Sequence, residues 1–394
     1  MRRLFRRIAA TVLCCFIIWA VAPQSSFGLV NTSDHSSYNE APADDPGWNF
    51  VGEMYNGTGV YLGDGWVLTP YHVYEHSAGH SYIMLDRQYD EIADTAQRIK
   101  FDEDTDADLV MFRVNGNPKL YPDNEDGPVV VNIRQAPVSV SSELATIIGT
   151  GFGREGDMQT WNIQGKTYEG YNTSDTRVKQ WGTNMIAEYP TPVTPPGGYG
   201  TTEALWTMFD KMPSRAEETQ PVDKDSGGAA FLDIDARPSK SSWELSGLVI
   251  AMAAVEDYPS DDLPLKTHAV YDTGAIYADL SPYYSQITAI RLTPLPGDAD
   301  WNGTVDLVDF SLLRQTFGQT GAGMRTDFDA SGVVDDADLE ILQHNFGMVS
   351  GNGITLPVAA PAFVPVLAPE PATMFVLVGA APLLLRSRKR RLTA

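Results

Sequence analysis

Two separated segments restrict the fold of this 394-residue chain more than any other feature. The first, residues 57–73, reads as a strand, a Gly-Asp-Gly turn and a second strand that ends shortly before His72. The second, residues 223–231, places Ser226 between an aspartate and two glycines and continues into an apolar strand. Glycines permit a sharp turn and a close approach of another group, so this stretch suits a nucleophile.

A carboxylate lies between these segments in an acidic run, residues 102–108. Asp108 directly precedes the apolar stretch 109–114, whereas Asp106, the alternative, does not. A serine hydroxyl needs a base to take its proton, and a carboxylate can orient that base. The residues that could act as base, orienting carboxylate and nucleophile are thus His72, Asp108 and Ser226, and the family resemblance given below selects them as the catalytic groups.

The histidines also allow a second interpretation. His72, His76 and His80 recur every four residues, which would align them on one helical face as metal ligands. No carboxylate motif accompanies His76 and His80, and the family resemblance given next selects His72, so the catalytic interpretation of His72 is favoured.

The two segments resemble those of the chymotrypsin/trypsin-like serine peptidases, and the order His72, Asp108, Ser226 is that family's order. The resemblance covers about residues 49–290. It implies two antiparallel β-barrels with the active site between them, the first carrying His72 and Asp108 and the second carrying Ser226.

Further expectations come from the same resemblance. It implies an oxyanion hole formed by the backbone N–H groups of Lys224 and Ser226, and a substrate pocket set partly by Gln220. Lys224 replaces the family's usual glycine, which predicts a strained turn. In the family a free N-terminal amine pairs with the aspartate before the serine, here Asp225. Cleavage after Gly28 would supply such an amine.

Strand-like runs dominate this part of the chain. They are short, rich in β-branched or aromatic residues and separated by turns, which is typical of an all-β barrel or sandwich. The predicted strands are residues 66–69, 109–114, 129–132, 145–149, 228–232 and 243–251.

A twelve-residue acidic pattern beginning at Asp298 recurs 29 residues later at Asp327. Oxygen-bearing side chains stand at loop positions 1, 3, 5, 9 and 12, and glycine stands at position 6, as in calcium loops of the EF-hand type. An amphipathic helix is predicted after each loop, over residues 310–317 and 339–346. The predicted calcium ligands are Asp298, Asp300, Asn302, Thr304, Asp306, Asp309, Asp327, Asp329, Ser331, Val333, Asp335 and Asp338.

This pair of loops and helices resembles a type I dockerin, which implies a cohesin partner on a surface or matrix protein. The positions that read the partner in that family are Leu307-Val308 and Asp336-Ala337 here, unlike the usual Ser/Thr pairs. A calcium-stabilised spacer is therefore an alternative to a partner-binding module. No cofactor is predicted for catalysis itself.

Both chain ends read as targeting segments. Residues 1–28 combine an arginine-rich start, an apolar stretch and a small-residue cleavage site, as a secretory signal peptide does. Cys14 and Cys15, the two cysteines of the sequence, lie inside it, so no disulfide is predicted in the mature chain. Residues 369–394 join Pro-Glu-Pro, a short apolar run that could cross the membrane transiently, and a basic end. This arrangement resembles the PEP-CTERM sorting signal; an ordinary C-terminal anchor is the alternative.

Charge narrows the classes of partner. The formal net charge of −23 disfavours nucleic acid and anionic membrane surfaces as partners.

The predicted order of segments is a signal peptide (1–28), a peptidase domain (29–290), a linker (291–296), a dockerin-like domain (297–348), a second linker (349–368) and a sorting segment (369–394).

The sequence thus predicts an exported serine endopeptidase that acts on proteins or peptides at the cell surface or outside the cell. Two alternatives remain: a peptidase-fold binding protein that no longer cuts, and a matrix protein that acts through its dockerin-like module.

Overall fold

The computed structural model describes residues 29–349 except 34–35, 117–130, 139–142, 196, 212–216, 235–241, 255–257 and 322. The predicted signal peptide and sorting segment lie outside the described residues, as does nearly all of the second linker. Within the described residues, no helix is both long enough and apolar enough to span a bilayer.

Strands dominate the described residues. The strands are β1 (Val30–Asn31), β2 (Val51–Met54), β3 (Gly57–Gly63), β4 (Trp66–Thr69), β5 (Tyr82–Met84), β6 (Arg87–Tyr89), β7 (Gln97–Lys100), β8 (Asp106–Arg113), β9 (Leu144–Gly149), β10 (Phe152–Ile163), β11 (Lys166–Arg177), β12 (Gln180–Val193), β13 (Thr202–Phe209), β14 (Thr219–Gln220), β15 (Ala229–Asp233), β16 (Trp243–Ala253), β17 (His268–Val270) and β18 (Thr273–Asp279). The α-helices are α1 (Tyr71–Glu75), α2 (Tyr284–Arg291), α3 (Leu307–Thr316) and α4 (Asp336–Asn345).

Six strands form a closed antiparallel barrel in the order β12-β13-β18-β16-β15-β9. Along β13 buried residues alternate with half-buried ones over most of its length, as expected where one face of a strand lies against a core. The predicted mainly β fold is confirmed. The barrel strand β15 begins directly after the turn that contains Ser226, so the barrel positions that residue.

Seven strands form a second antiparallel sheet in the order β6-β5-β2-β3-β4-β8-β7. Residues 63–66 connect β3 to β4, and the two central turn residues, Asp64 and Gly65, have φ angles of 51° and 78°. Positive φ at both positions matches the twist of the flanking strands. Because hydrogen bonding leaves this sheet open, the prediction of a second closed barrel is not confirmed.

Side chains from both sheets share one apolar cluster. Phe50, Leu68 and Phe112 of the seven-stranded part pack in the same cluster as Phe231 and Leu248 of the barrel. All five are buried, so the two halves are joined by a continuous hydrophobic core. The interface between them is where the candidate catalytic residues lie.

Two smaller sheets complete the β structure. Strand β1 pairs with β14, which brings Val30 opposite Gln220. The long hairpin β10-β11 adds β17 as a third strand. Its outer half is exposed, and no apolar run in the sequence predicted it.

We call residues 297–349 the acidic-loop module. Each of its helices begins three residues earlier than predicted, because Asp306 and Asp335 act as N-caps. Asp306 Oδ1 accepts from the N–H of Val308 at 2.7 Å, and Asp335 Oδ1 accepts from the N–H of Ala337 at 2.9 Å. A capping carboxylate satisfies backbone donors that would otherwise lack a partner.

The remaining predicted strands agree with the structure to within a few residues, apart from 129–132. Residues 129 and 130 lie outside the described residues, and residues 131 and 132 are not in a strand. Helix α2 was not predicted.

Candidate active site and acidic loops

His72 and Asp108 form a hydrogen-bonded pair on neighbouring elements. Strand β4 pairs with β8, and β4 leads through Pro70 into α1, which carries His72. His72 Nδ1 lies 2.7 Å from Asp108 Oδ2, and the backbone N–H of His72 donates to Asp108 Oδ1 at 2.9 Å. One carboxylate therefore fixes both the ring and the backbone of the histidine.

The exposure of the two partners differs in a way that matters for chemistry. The Asp108 side chain has no exposed surface, whereas 18% of the His72 side chain is exposed. The carboxylate is shielded from water, which strengthens its interaction with the ring. The ring remains reachable, so its far nitrogen could exchange a proton with a neighbouring group.

Ser226 lies in a turn that packs against the seven-stranded sheet. Its carbonyl accepts from the N–H of Thr58 at 2.8 Å. Gly227 follows with φ +90°, and a Cβ at that position would lie 1.8 Å from the Thr58 carbonyl oxygen and 3.1 Å from Pro70 Cδ. Only glycine fits there. The turn thus lies beside Pro70, which directly precedes α1 and stands two positions before His72.

Lys224 has φ +70°, in the left-handed region that glycine usually occupies. A side chain in that region costs roughly 1–2 kcal/mol. Two contacts hold it: its carbonyl accepts from Thr58 Oγ1 at 3.2 Å, and its Nζ donates to Asn56 Oδ1 at 2.6 Å. The backbone therefore takes a glycine-like conformation despite the lysine, at the expected cost in strain.

Asp225 is fully buried and has three backbone donors. Its Oδ1 accepts from the Gly151 N–H at 2.7 Å, its Oδ2 accepts from the Val222 N–H at 2.9 Å, and the N–H of Leu29 also donates to the carboxylate. Burial raises the pKa of Asp225 to about 7, an effect that the nearby Arg177 only partly opposes. The residue that follows the predicted cleavage site is therefore hydrogen-bonded to the aspartate that precedes Ser226.

Asp106, the alternative to Asp108, faces a different set of groups. It pairs with Lys100 at 2.6 Å and with Arg98 at 3.6 Å, and 32% of its side chain is exposed. These are ordinary surface ion pairs, whereas His72 bonds to Asp108.

The predicted alternative of a three-histidine metal face does not match the observed partners. Helix α1 ends at Glu75, before His76 and His80. His76 Nε2 lies 2.8 Å from the Tyr199 hydroxyl, and His80 Nδ1 lies 2.5 Å from Glu91 Oε2. Among the described residues, the clusters able to hold a metal include neither histidine.

Gln220, the predicted pocket residue, is buried in β14. Its Nε2 donates to the Gly274 carbonyl at 2.9 Å. Its Oε1 has no hydrogen-bond partner within the part of the chain that the structure describes. A buried acceptor without a partner is costly to the folded state.

Two residues beside the pair were not predicted. The backbone N–H of Asp108 donates to Thr202 Oγ1 at 2.9 Å, which ties the barrel strand β13 to β8. The Tyr199 ring lies 5.8 Å from the His72 ring between centroids. Both residues lie in or next to the connection between β12 and β13, which carries no motif in the sequence.

The acidic loops gather carboxylates from the predicted ligand positions. Ligand oxygens of Asp298, Asp300 and Asp309 lie within 4.8 Å of one another, and those of Asp327, Asp329 and Asp338 do the same. Two unit charges about 4 Å apart repel by ~1 kcal/mol in water and ~4 kcal/mol near a protein surface. Burial and the charge of Asp309 raise the pKa of Asp298 above its usual value. Each cluster therefore favours a cation.

Other predicted ligand positions have roles inside the loops. Asp306 and Asp335 cap the helices and are not members of the carboxylate clusters. Asn302 Oδ1 accepts from the N–H of Thr304, and Ser331 Oγ donates to the carbonyl of Val333. These bonds shape the loops around the two clusters.

Comparison with known proteins gives remote structural neighbours. No family model and no curated protein sequence matches the chain. The inactive form of the Rv3671c protease of M. tuberculosis H37Rv is 15% identical, with a TM-score of 0.36, and the match covers 66% of this chain and 97% of that one. Neuropsin, a serine protease of mouse brain, is 12% identical, with a TM-score of 0.39, and the match covers 62% of this chain and 95% of that one.

The left-handed conformation of Lys224 generates a stability prediction. Lys224→Gly and Lys224→Ala both lose the contact with Asn56, but only glycine accepts φ +70° without strain. The glycine variant should be about 1 kcal/mol more stable than the alanine variant, as measured by urea unfolding. Equal stability, or a more stable alanine variant, would show that the turn adopts another conformation in solution.

Proposed function

We propose that this protein is a serine endopeptidase that hydrolyses peptide bonds in proteins or peptides. The observation that carries the proposal is the His72–Asp108 pair, with a fully buried carboxylate and an accessible ring, next to the glycine turn of Ser226. A buried carboxylate bonded to Nδ1 is what a histidine base requires to stay in the correct tautomer.

In the proposed reaction, Ser226 Oγ attacks the carbonyl carbon of the scissile bond while His72 Nε2 accepts the hydroxyl proton. The Asp108 carboxylate stabilises the resulting imidazolium without taking its proton. His72 then donates that proton to the leaving amine, and an acyl-enzyme remains on Ser226. A water molecule, deprotonated by His72, attacks the ester carbonyl carbon. His72 returns that proton to Ser226 Oγ as the ester C–O bond breaks, and the carboxylic acid product leaves.

The proposed oxyanion hole consists of the backbone N–H groups of Lys224 and Ser226. A donor in such a hole contributes about 3 kcal/mol to stabilising the transition state. The glycine-like φ of Lys224 supports this role, because a different backbone conformation would turn its N–H in another direction. The strain at Lys224 is then borne by the folded protein to keep the turn in position.

The proposed substrate pocket includes Gln220. An uncharged amide gives no reason to expect a strict preference for lysine or arginine. Its Oε1, which has no hydrogen-bond partner among the described residues, favours a substrate side chain that can donate a hydrogen bond.

We further propose that the acidic-loop module binds calcium. The fit rests on the two clusters of three carboxylates and on Asp327 Oδ1, which is buried and lacks a hydrogen-bond partner within the described part of the chain. Hard oxygen ligands at these loop positions suit Ca²⁺. The ion would neutralise the repelling charges and take no part in catalysis. The carboxylates that would hold it are Asp298, Asp300, Asp309, Asp327, Asp329 and Asp338.

The proposed location is the cell surface or the space outside the cell. It depends on residues 1–28 and 369–394, which lie outside the described residues, and therefore remains a prediction from the sequence. A cohesin-like partner is likewise a prediction. Leu307 and Val308 are exposed at the start of α3, so they are accessible to such a partner.

Removal of the signal peptide would also serve as the activating cleavage in this proposal. Leu29 is fully buried, and its N–H already donates to Asp225. Cleavage after Gly28 would convert that amide into a charged amine, which would pair with the ionised carboxylate. The turn that carries Ser226 would then be stabilised by an ion pair rather than by a hydrogen bond alone.

The choice between the two aspartates of β8 gives the test of catalysis. Asp108→Asn should lower kcat for a peptide substrate roughly 10⁴-fold, because the histidine loses its orienting carboxylate. Asp106→Asn is the matched control two residues away on the surface, and its kcat should stay within a few-fold of the wild type. The proposal fails if both variants keep their activity, or if Asp106→Asn lowers kcat and Asp108→Asn does not.

The buried Asp225 gives a test that depends on pH. In a chain that retains residues 26–28, Asp225 has a folded pKa of about 7, above the value near 4 of an unfolded aspartate. The contribution of Asp225 to the free energy of unfolding is therefore fully present below pH 4 and is lost as pH rises through about 7, an effect on the order of 4 kcal/mol. A chain that begins at Leu29 should lose much less stability between pH 4 and pH 7, because its terminal amine pairs with the charged carboxylate of Asp225.

Urea unfolding of both chains at pH 4, 5.5 and 7 measures this difference. Asp225→Asn in the longer chain is the control, and its stability should fall less with rising pH than that of the longer wild-type chain, since asparagine does not titrate. An identical pH dependence for the two wild-type chains would contradict the proposed pairing.

A further inference from the structure

A residue of the peptidase-like part completes the core of the acidic-loop module. Ile92 lies in the connection between β6 and β7 and has no exposed surface. It belongs to one buried apolar cluster with Leu313 of α3, Leu342 of α4 and the loop residues Val305 and Val334. Leu295 is also a member of this cluster. Leu295, which lies in the predicted linker, is also buried, so the joint between the two parts packs against both.

Ile92 is held firmly to the end of β8. Its N–H donates to the carbonyl of Arg113 at 2.8 Å, and its own carbonyl accepts from Thr95 Oγ1 at 2.7 Å. The N–H of Arg113 in turn donates to Thr95 Oγ1 at 3.0 Å. A displacement of Ile92 would therefore disturb the last residues of β8.

The Arg113 side chain is a second link. It is buried, and its guanidinium lies 4.6 Å from the ring centroid of Trp66 and donates to the carbonyl of Thr293. Asp64 and Asp298 are the carboxylates that act on its charge, and Asp298 is the first residue of the first acidic loop. A buried cation is stable only while its acceptors and counter-charges remain in place.

The end of the module supplies a third link. The N–H of Gly116, three residues after β8, donates to the carbonyl of Val349 at 3.0 Å. Residues 347 and 348 exchange backbone hydrogen bonds with Val305, at the exit of the first loop. The first loop is thus connected through this short segment to the chain that leaves β8.

These links lead to the candidate catalytic pair. Strand β8 carries Asp108 and Arg113, and it pairs with β4 from Trp66 to Thr69. Strand β4 continues through Pro70 into the helix that carries His72. The end of β8 is therefore linked to the module, and β8 and β4 together hold the His72–Asp108 pair.

We infer that calcium binding by the acidic-loop module stabilises β8 and β4, and through them the His72–Asp108 pair, so that the module acts as a structural part of the peptidase. Without the ion, the crowded carboxylates of the loops repel one another and loosen the α3–α4 core. Ile92 then loses the apolar side chains that cover it. This inference rests on the proposed calcium binding and on the proposed role of the pair.

Hydrogen exchange of the full chain, followed by mass spectrometry, tests the inference. Exchange is measured with calcium, after chelation, and with magnesium as the ionic control. Removal of calcium should speed exchange in β8 and β4 by about tenfold or more, because these strands open locally. The barrel strands β9 and β15 are the internal control and should change far less.

A variant of Ile92 tests the contact between β8 and the module separately from calcium binding. Ile92→Ser should still bind calcium by calorimetry, but β8 should exchange rapidly with or without the ion. Ile83→Ser is the matched control, since Ile83 is an exposed isoleucine on β5 of the same sheet, and it should behave as the wild type. If Ile92→Ser does not fold, hydrogen exchange of β8 in the wild type, compared with and without calcium, still tests the inference.

The outcomes distinguish the proposals. Calcium binding without a change in the exchange of β8 overturns this inference alone. No calcium binding overturns both the calcium assignment and this inference. Neither readout depends on Ser226, so a protein without peptidase activity would leave the test valid.

Discussion

The carboxylate of Asp108 has no exposed surface, and both of its oxygens bond to the same residue, His72. A buried charge persists only with such partners, so the two elements that supply them must keep their relative position. Strand β4 and helix α1 deliver the histidine, β8 delivers the aspartate, and Thr202 of the barrel binds the aspartate's N–H. The seven-stranded sheet and the closed barrel thus meet at this carboxylate.

The turn of Ser226 shows a second constraint, which is the lack of space between the two sheets. Thr58 lies against Ser226 and Gly227, and it also contacts Lys224 through its hydroxyl. The turn accommodates a lysine at φ +70° and a buried aspartate whose pKa is raised to about 7. Both are unfavourable in isolation, and local strain of this kind persists only where surrounding contacts enforce it.

Local patterns predicted much of this arrangement. Apolar runs and the residues beside them predicted the strand Trp66–Thr69, the turn before it and the choice of Asp108 over Asp106. Such runs are informative because a buried strand needs several apolar residues close together in the sequence. The acidic loops were found because twelve positions recur with their helices. Their N-caps were missed, since Asp306 and Asp335 were read only as ligands.

What the sequence did not predict depends on contacts between distant residues. Tyr199 lies near His72 from the connection between β12 and β13, and Ile92 belongs to the core of the acidic-loop module, yet neither lies in a local sequence pattern. The closure of the barrel and the open order of the seven-stranded sheet likewise depend on pairing across long separations. Such contacts leave no periodic signal in a single sequence.

Labelling of the full chain with a fluorophosphonate probe, in calcium, tests the central claim most directly. The probe reacts with a serine whose hydroxyl is activated by a base. The wild type should be labelled, while Ser226→Ala and His72→Ala, shown to be folded by circular dichroism, should not. A folded wild type that is not labelled, or a Ser226→Ala variant that is labelled equally, would contradict the proposal of a serine peptidase.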